Sequence, residues 1–302
     1  MTPPACNVCG GELTLRFKDA ADPDSRERFD VLGCARCGLG HTQPVPKDLS
    51  RYYMSSYHGG RHGITARYCA WRRVRWIHRL APRPGTVLDV GCGEGTFLLA
   101  LKKRGWRPFG TELNPERAHA AGLSVAKTLD ALPAEARFDV ITLWHSLEHL
   151  PDPFATLRDL TRRLSPEGVI VIAVPNAMGF QAQVFGKKWL HLDVPRHLFH
   201  FGPLALAKAL RKAGLTIEKR WNMEFEYDWL GIVQSAINLW DSEPNGLFRI
   251  LTGRGDGFSG ERRFALLTMG FLLGLPALLL TWLFAAIGDG GTVVMAAKRP
   301  TH

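Results

Sequence analysis

The chain has 302 residues, a hydrophobic fraction of 46% and a formal net charge of +10. This apolar content excludes an intrinsically disordered chain, which would be too polar to bury a core. Together with the length, it favours one large globular domain beside a small one. The positive charge favours an anionic partner, and nucleic acid, acidic lipid headgroups and phosphorylated substrates satisfy this equally.

The chain has six cysteines, and the four nearest the N-terminus form two pairs with CxxC spacing. Cys6 and Cys9 make the first pair, Cys34 and Cys37 the second, and a glycine follows the second cysteine of each. Two paired thiolate donors are typical of a closed, tetrahedral structural zinc site, whereas a redox role is disfavoured by the duplication. We therefore predict a zinc-ribbon-like module over residues 1–50, stabilised by Zn²⁺ because its apolar core is small.

The N-terminal residues indicate a location in the cell, and the segment after the cysteines indicates a helix. The first residues contain neither a basic stretch nor an apolar run, so we expect no signal peptide and a cytoplasmic location. Residues 61–83 carry seven arginines among apolar residues that recur at three and four positions. This pattern predicts an amphipathic helix that leads into the main domain.

From Thr86 onward, apolar strands alternate with helical stretches. This alternation predicts a doubly wound α/β fold with a seven-stranded, mostly parallel sheet. The predicted strands are Thr86–Val90, Pro108–Glu112, Leu123–Lys127, Phe138–Trp144, Val169–Val174, Leu215–Arg220 and Thr292–Ala297. The predicted regions are a zinc module (1–50), an Arg-rich linker helix (51–83), the main domain (84–222), an apolar helical insertion (223–291), and the last strand with a tail (292–302).

The loop after the first of these strands has the strongest pattern for a cofactor site. Gly91, Gly93 and Gly95 alternate there, and Glu112 ends the next strand. Glycines let a ligand approach the backbone at a helix N-terminus, and a carboxylate at the next strand end can accept hydrogen bonds from a ribose. A dinucleotide site is disfavoured because Thr96 takes the position of the last glycine, and because Asp89 and Glu94 put negative charge beside the loop.

With three further segments, this loop resembles the class I S-adenosylmethionine (SAM)-dependent methyltransferases, in particular the small-molecule branch that includes ubiquinone-type O-methyltransferases. The matching segments are Val87–Gly95, Gly110–Pro115, Phe138–Pro153 and Leu164–Asn176. The resemblance implies that SAM is the cofactor. It places Asp89 and the three loop glycines at its methionine part, Glu112 at the ribose and His145 beside the sulfonium. Leu113 is a further cofactor-binding residue that it implies. For the adenine, Thr128, Leu129 and Asp130 remain alternatives.

Two histidine-rich segments follow the fourth and fifth strands, where ligands bind in such sheets. His145, Glu148 and His149 form the first, and residues 189–201 form the second. Candidate general bases are His145, His149 and His197; the resemblance implies substrate contacts for His191, Asp193, Arg196 and His200. A helix brace for the first segment and a structural lid for the second remain alternatives, and an iron site from His191, Asp193 and His197 is disfavoured because methyl transfer needs no metal.

The insertion contains an uncharged stretch, Phe264–Gly288, with Gly274 and Pro276 near its middle. Because the last strand must return to the sheet, we predict a hairpin of two short helices that enters one leaflet, rather than a single span. Together with the predicted helix 229–240, residues 229–288 could then bind an anionic membrane surface. A buried helical subdomain and a dimer interface are the alternatives.

The sequence thus predicts a SAM-dependent methyltransferase acting on a small-molecule, sugar or lipid-linked acceptor, with O-methylation favoured. A nucleic-acid methyltransferase is the alternative that the charge and the zinc module support. It is disfavoured because Leu143–Ser146 lacks the Asn/Asp-Pro-Pro-aromatic motif of base-amino methylation. A non-catalytic SAM-binding protein is the third possibility.

Overall fold

The computed structural model describes residues 5–53 and 64–300. In chain order, the elements are β1 (Leu13–Ala21), β2 (Arg28–Cys34), β3 (Gly40–Gln43), α1 (Ile64–Leu80), β4 (Thr86–Val90), α2 (Thr96–Lys102), β5 (Arg107–Thr111), α3 (Glu116–Ala120), β6 (Ser124–Ala126), β7 (Phe138–Trp144), α4 (Pro153–Arg163), β8 (Leu164–Pro175), α5 (Phe180–Phe185), β9 (Phe199–His200), α6 (Pro203–Lys212), β10 (Thr216–Trp221), α7 (Phe225–Asn238), α8 (Gly246–Leu251), α9 (Gly260–Ala286) and β11 (Thr292–Lys298). Residues 54–63 of the predicted linker region lie outside the described residues, as do 1–4 and 301–302 of the predicted terminal regions.

These elements form two compact units. Described residues up to 53, with 175–208 and 221–293, make up what we call the composite unit. Described residues from 64 to 174, with 209–220 and the residues after 293, make up the sheet unit.

The sheet unit is built on a seven-stranded sheet of order β10-β11-β8-β7-β4-β5-β6. The neighbouring pairs β4–β5, β4–β7, β5–β6 and β7–β8 are parallel. The central strands are buried along almost their whole length, as expected for a parallel sheet covered on both faces, whereas β10 at the edge is largely exposed. The predicted doubly wound fold is confirmed, and the last strand, β11, lies between β8 and β10.

The composite unit contains a four-stranded sheet of order β1-β2-β3-β9. Its first three strands come from the N-terminal segment, but β9 comes from the distant chain, where His200 pairs with Gly40. An apolar cluster on this sheet also joins distant segments: Phe29 and Val31 pack with Trp189 and Val194. The small N-terminal core is therefore completed by residues that follow β8.

The insertion consists of α7, α8 and α9, which pack through a cluster that includes Val233, Leu247 and Leu266. The predicted hairpin is wrong: α9 is one continuous helix, and Pro276 lies inside it. Proline removes one helix hydrogen bond, but the helix keeps a packed stripe on both sides of it, from Leu266 to Thr281. The Trp229 indole also donates a hydrogen bond of 2.8 Å to the Gly274 carbonyl, close to the proline.

Within the part of the chain that the structure describes, α9 is the helix long and apolar enough to cross a membrane. Within its most apolar 18-residue segment, only 22% of the residues are buried against protein. Length and composition alone do not separate a bilayer span from a helix that lies on a surface.

Candidate functional site

The glycine loop connects β4 to α2 and has a left-handed backbone at all three glycines, with φ of 76° at Gly91, 55° at Gly93 and 80° at Gly95. A Cβ at Gly91 would lie 2.8 Å from the Ser146 Cβ, so the close approach of these two segments needs glycine. A Cβ at Gly93 would meet none of the described atoms within 4 Å. The loop therefore keeps its middle glycine beside open space, as a backbone that receives a ligand requires.

Glu112, which follows β5, is directed at this loop. Its Oε2 accepts a hydrogen bond of 2.9 Å from the Gly93 amide, and its Oε1 lies 3.4 Å from the amide of Asn114. The next residue, Leu113, is exposed. The carboxylate thus stands at the carboxyl ends of two neighbouring parallel strands, with acceptor capacity left for a hydroxyl-bearing ligand.

Asp89 is buried and is the second-last residue of β4, just before the loop. Its Oδ1 accepts a hydrogen bond of 2.6 Å from the Thr142 hydroxyl on β7. Burial raises the pKa of Asp89 to about 7, an effect that the Glu112 charge increases and that the Thr142 bond and the Arg73 charge oppose. Two carboxylates so close to one loop favour a cationic ligand over an anionic one.

Arg73 and Trp76 on α1 extend the site in a way that the sequence analysis missed. The Arg73 guanidinium lies 4.6 Å from the centre of the Trp144 ring at the end of β7, and the Trp76 ring stacks on Trp144 at 6.0 Å. The arginine-rich pattern of 61–83 was interpreted only as a linker helix. The signal that could have found this contact is the spacing of Arg73 and Trp76, which puts them on one side of the helix.

His145 follows β7 and has a left-handed backbone with φ of 54°, which is uncommon outside glycine. Its Nδ1 lies 3.8 Å from Oε1 of Glu148, and both side chains are almost fully buried. His149 follows in the same short 3₁₀ turn, Leu147–His149, and is half-buried. The structure therefore brings the whole first histidine segment together at one strand end, with a carboxylate beside an imidazole.

The candidate adenine residues follow β6. A single 3₁₀ turn spans Leu129–Ala131, and Thr128 is the extended residue before it. The pairing of Thr111 with Ala126 puts this turn at the same sheet edge as Glu112, whose amide donates a hydrogen bond of 2.9 Å to the Ala126 carbonyl. Thr128 and Asp130 are exposed and Leu129 is half-buried, so all three alternatives remain predictions.

The second histidine segment belongs to the composite unit, and its side chains make contacts within that unit. Arg196 is almost fully buried and pairs with Asp193 at 2.6 Å and with Asp22 at 2.8 Å. His191 Nε2 lies 3.0 Å from the Tyr227 carbonyl oxygen, and His197 Nδ1 lies 2.9 Å from the His191 carbonyl oxygen.

His200 has the same internal character. Its Nε2 lies 2.9 Å from the Thr42 hydroxyl, and burial lowers its pKa to about 3. These contacts tie the segment to the N-terminal sheet. The substrate roles of His191, Asp193, Arg196 and His200, and the catalytic role of His197, stay predictions.

The four paired cysteines come together at one end of the N-terminal sheet, with every sulfur within 4.8 Å of the others. The Cys6 and Cys37 sulfurs are 3.5 Å apart, and those of Cys9 and Cys34 are 3.4 Å apart. A tetrahedral zinc with sulfur at ~2.3 Å needs sulfurs about 3.8 Å apart, so this donor set fits the ion.

Backbone amides surround these sulfurs. Burial raises the pKa of Cys6 and Cys37, while the amides of Val8 and Cys9 lower that of Cys6, and the Leu39 amide lowers that of Cys37. Amides aimed at sulfur stabilise the thiolate form that a metal requires. The other two thiols, Cys69 and Cys92, lie outside this cluster.

Comparison with known proteins identifies one family for more than half of the chain. The family model described as "Methyltransferase domain" matches residues 61–220. The ubiquinone biosynthesis O-methyltransferase of Xanthomonas axonopodis pv. citri (strain 306) is 32% identical over 166 residues, which cover 49% of this chain and 70% of the relative. The enzyme of the same name from Paracidovorax citrulli (strain AAC00-1) is 30% identical over 173 residues, covering 51% and 73%.

One solved structure supports the fold. The Burkholderia thailandensis 1,6-didemethyltoxoflavin-N1-methyltransferase, with bound 1,6-didemethyltoxoflavin and S-adenosylhomocysteine, has a TM-score of 0.50 and 18% identity. The match covers 88% of this chain and 97% of that one. At this identity the similarity concerns the fold alone.

The ion pairs of Arg196 generate a prediction about stability. Arg196→Ala leaves the buried carboxylate of Asp22 without its cation, and we expect a loss of ~3–5 kcal/mol in the free energy of unfolding. Urea unfolding followed by circular dichroism measures it, with Arg28→Ala at an exposed position on β2 as the control. Equal stability of Arg196→Ala and the wild-type chain would contradict the prediction.

Proposed function

The chain belongs to the SAM-dependent methyltransferase family, and we propose that it transfers the methyl group of SAM to a hydroxyl oxygen of a small-molecule acceptor. The observation that carries this proposal is the group of ligand-binding features at one edge of the sheet. The buried Asp89 lies near the end of β4, and the glycine loop, Glu112 and the His145–Glu148 pair follow β4, β5 and β7, which lie next to one another. Ligands of open α/β sheets bind at this edge.

The charges near the loop support the proposed binding of SAM. Its methionine part carries an ammonium and a sulfonium, and Asp89 supplies negative charge beside the glycines. Glu112 would accept hydrogen bonds from the ribose hydroxyls, while its other contact holds the Gly93 amide in place. Thr128, the Leu129 backbone and Asp130 remain the three candidates for the adenine.

The first histidine segment is our candidate for activating the acceptor. When bound, SAM supplies a methyl group on a good leaving group, so the protein has to align the acceptor oxygen and take its proton. We propose His145 or His149 as the base, with Glu148 orienting the His145 imidazole and stabilising its protonated form. The imidazole would take the proton of the acceptor O–H as that oxygen bonds to the methyl carbon, and the methyl–sulfur bond would break so that S-adenosylhomocysteine leaves.

For the acceptor, we propose a small molecule that carries an apolar group or is linked to a lipid. Two observations support this: the similar enzymes are named for ubiquinone biosynthesis, and α9 exposes large apolar side chains. We further propose that the chain is cytoplasmic and works at the inner face of the membrane. No feature of the described residues favours a nucleic-acid acceptor over this one.

We also propose that the cysteine cluster holds one structural zinc ion. Cys6, Cys9, Cys34 and Cys37 would fill all four positions of a tetrahedral site and leave none for a substrate. Its contribution would be to stability, because the ion joins the start of the chain to the turn between β2 and β3.

The first prediction concerns cofactor affinity. Gly93→Val should abolish SAM binding, because a branched side chain would occupy the open space at the loop. Glu112→Ala should weaken binding by ~1–3 kcal/mol, the scale of hydrogen bonds to a charged group. Isothermal titration calorimetry measures both, with the exposed Glu116→Ala on α3 as the control. Native affinity in both variants would refute the assignment.

Asp89 adds a pH dependence to the same measurement. Its folded pKa of about 7 is raised above the ordinary value of 3.8, so the ionised form costs stability in the free protein and is fully present only above pH 7. A cationic ligand favours that ionised form. SAM affinity should therefore fall as the pH falls through about 7.

The second prediction tests the transfer itself. Mass spectrometry of lipid and sugar-nucleotide extracts, incubated with the protein and isotopically labelled SAM, should reveal a product with one added methyl on oxygen. Once an acceptor is known, Glu148→Gln should lower turnover about 10²-fold or more while SAM affinity stays unchanged. The absence of a methylated product from these extracts, together with label on nucleic acid incubated in parallel, would overturn the proposal.

The third prediction concerns metal content. Elemental analysis should find close to one zinc per chain, and Cys34→Ser should remove it while Cys69→Ser does not. Chelation should raise the hydrogen exchange of β1 and β2 before that of β4 and β7, because metal binding and folding are coupled in such modules. A metal-free chain with protected β1 and β2 would contradict the zinc assignment.

A further inference from the structure

Helix α9 has two faces of different character. Leu266, Gly270, Ala277 and Thr281 form a buried stripe against the rest of the composite unit. On the opposite side, large apolar residues recur every three or four positions, and we call them the outer face: Phe264, Leu267, Phe271, Leu275, Leu279 and Trp282. Phe271 is 84% exposed and Phe264 is 73% exposed. This continuous apolar face on a helix about 40 Å long is more than soluble surfaces normally leave uncovered.

The buried stripe is covered by protein along almost its whole length. Near the N-terminal end, Gly270 packs closely on Leu247 of α8. In the middle, the Trp229 indole of α7 donates to the Gly274 carbonyl, and near the C-terminal end the Phe284 ring stacks on Phe180 at 3.7 Å. A helix that crosses a bilayer cannot have one side attached throughout to a polar, folded unit.

The residues after α9 hold its end on the same unit. The Gly291 amide donates a hydrogen bond of 3.0 Å to the buried carboxylate of Asp228 on α7, and the Gly291 carbonyl accepts one of 2.8 Å from the Asn176 amide. Both ends of α9 are therefore fixed to one body. Building on the membrane location proposed above, we infer that α9 lies parallel to the membrane and inserts its outer face into one leaflet without crossing it.

The charges near α9 indicate what drives this insertion. Arg262 pairs with Asp241 at 2.8 Å and with Glu243 at 2.9 Å, and Arg263 lies 3.3 Å from Asp256. These two arginines, whose charges could otherwise attract acidic headgroups, are thus partly neutralised within the chain. Burial of apolar side chains provides the larger contribution, so binding should depend little on salt or on anionic lipid.

Flotation of the full chain with phosphatidylcholine vesicles tests the inference. The wild-type chain should float with them, and its apparent affinity should change less than about threefold on adding phosphatidylglycerol or high salt. The double variant F271Q/L275Q should bind at least about tenfold more weakly, because two apolar side chains leave the leaflet. The matched control is L15Q, at an exposed leucine on β1.

A tryptophan in the middle of the outer face reports the orientation. In the variant L275W, the fluorescence added to that of the wild-type chain should be quenched more by lipids brominated near the headgroup than by lipids brominated near the bilayer centre. Stronger quenching from the centre would show a spanning helix and overturn the inference. Unchanged vesicle binding by F271Q/L275Q would overturn it as well.

A second copy of the chain is the competing occupant of the outer face. If the wild-type chain were a dimer by light scattering, F271Q/L275Q a monomer, and neither bound vesicles, the face would be a dimer interface and the inference would be wrong. Calorimetry with SAM separates this test from the proposed function. F271Q/L275Q should bind SAM like the wild-type chain, whereas a chain that floats with vesicles but does not bind SAM would refute only the enzymatic proposal.

Discussion

The hydrogen bond between the Thr142 hydroxyl and the buried carboxylate of Asp89 joins the ends of the two central strands, at the place where the cofactor loop begins. A carboxylate in that position is costly, because desolvation opposes its charge. The chain tolerates it through two partners, the Thr142 hydroxyl and the more distant positive charge of Arg73. The glycine loop, the Glu112 contact and the His145 turn all lie at strand ends around this pair, so their positions depend on the register that it helps to hold.

A second buried carboxylate, Asp228, has a corresponding part in the insertion. It accepts hydrogen bonds from the Gly291 amide and the Thr292 hydroxyl, and burial raises its pKa to about 7. These bonds attach the start of α7 to the start of the last strand, so the insertion is fixed at both of its ends. This close approach needs glycine at positions 290 and 291, because a side chain there would collide with Asn222 and crowd Asp228.

The parts of the molecule that were predictable from sequence are those encoded locally. A few consecutive residues are enough to recognise each of them. An apolar run indicates a strand such as Phe138–Trp144, alternating glycines indicate the loop, and CxxC spacing indicates the two cysteine pairs. Contacts between distant segments were not accessible in this way. The ion pair between Arg196 and Asp22 and the pairing of β9 with β3 join residues far apart in sequence, and a single chain carries no local sign of them. For the contact of Arg73 with Trp144, helical spacing marks the side of α1 but not the partner strand. The hairpin predicted at Pro276 failed for the same reason, because the packing that keeps α9 continuous comes from α7 and α8.

The pairing of β3 with β9 also bears on how the chain is made. During translation, residues 40–43 leave the ribosome long before residues 199–200, and β11 follows every other strand of the seven-stranded sheet. Until β9 has been made, the N-terminal sheet therefore has an unpaired edge at β3. Until β11 has been made, the large sheet lacks the strand between β8 and β10, although the apolar α9 has already been synthesised. Such non-local closure is slow compared with helix formation. Nascent chains of this protein should consequently depend on chaperones that cover unpaired strands and apolar helices until synthesis has passed residue 298.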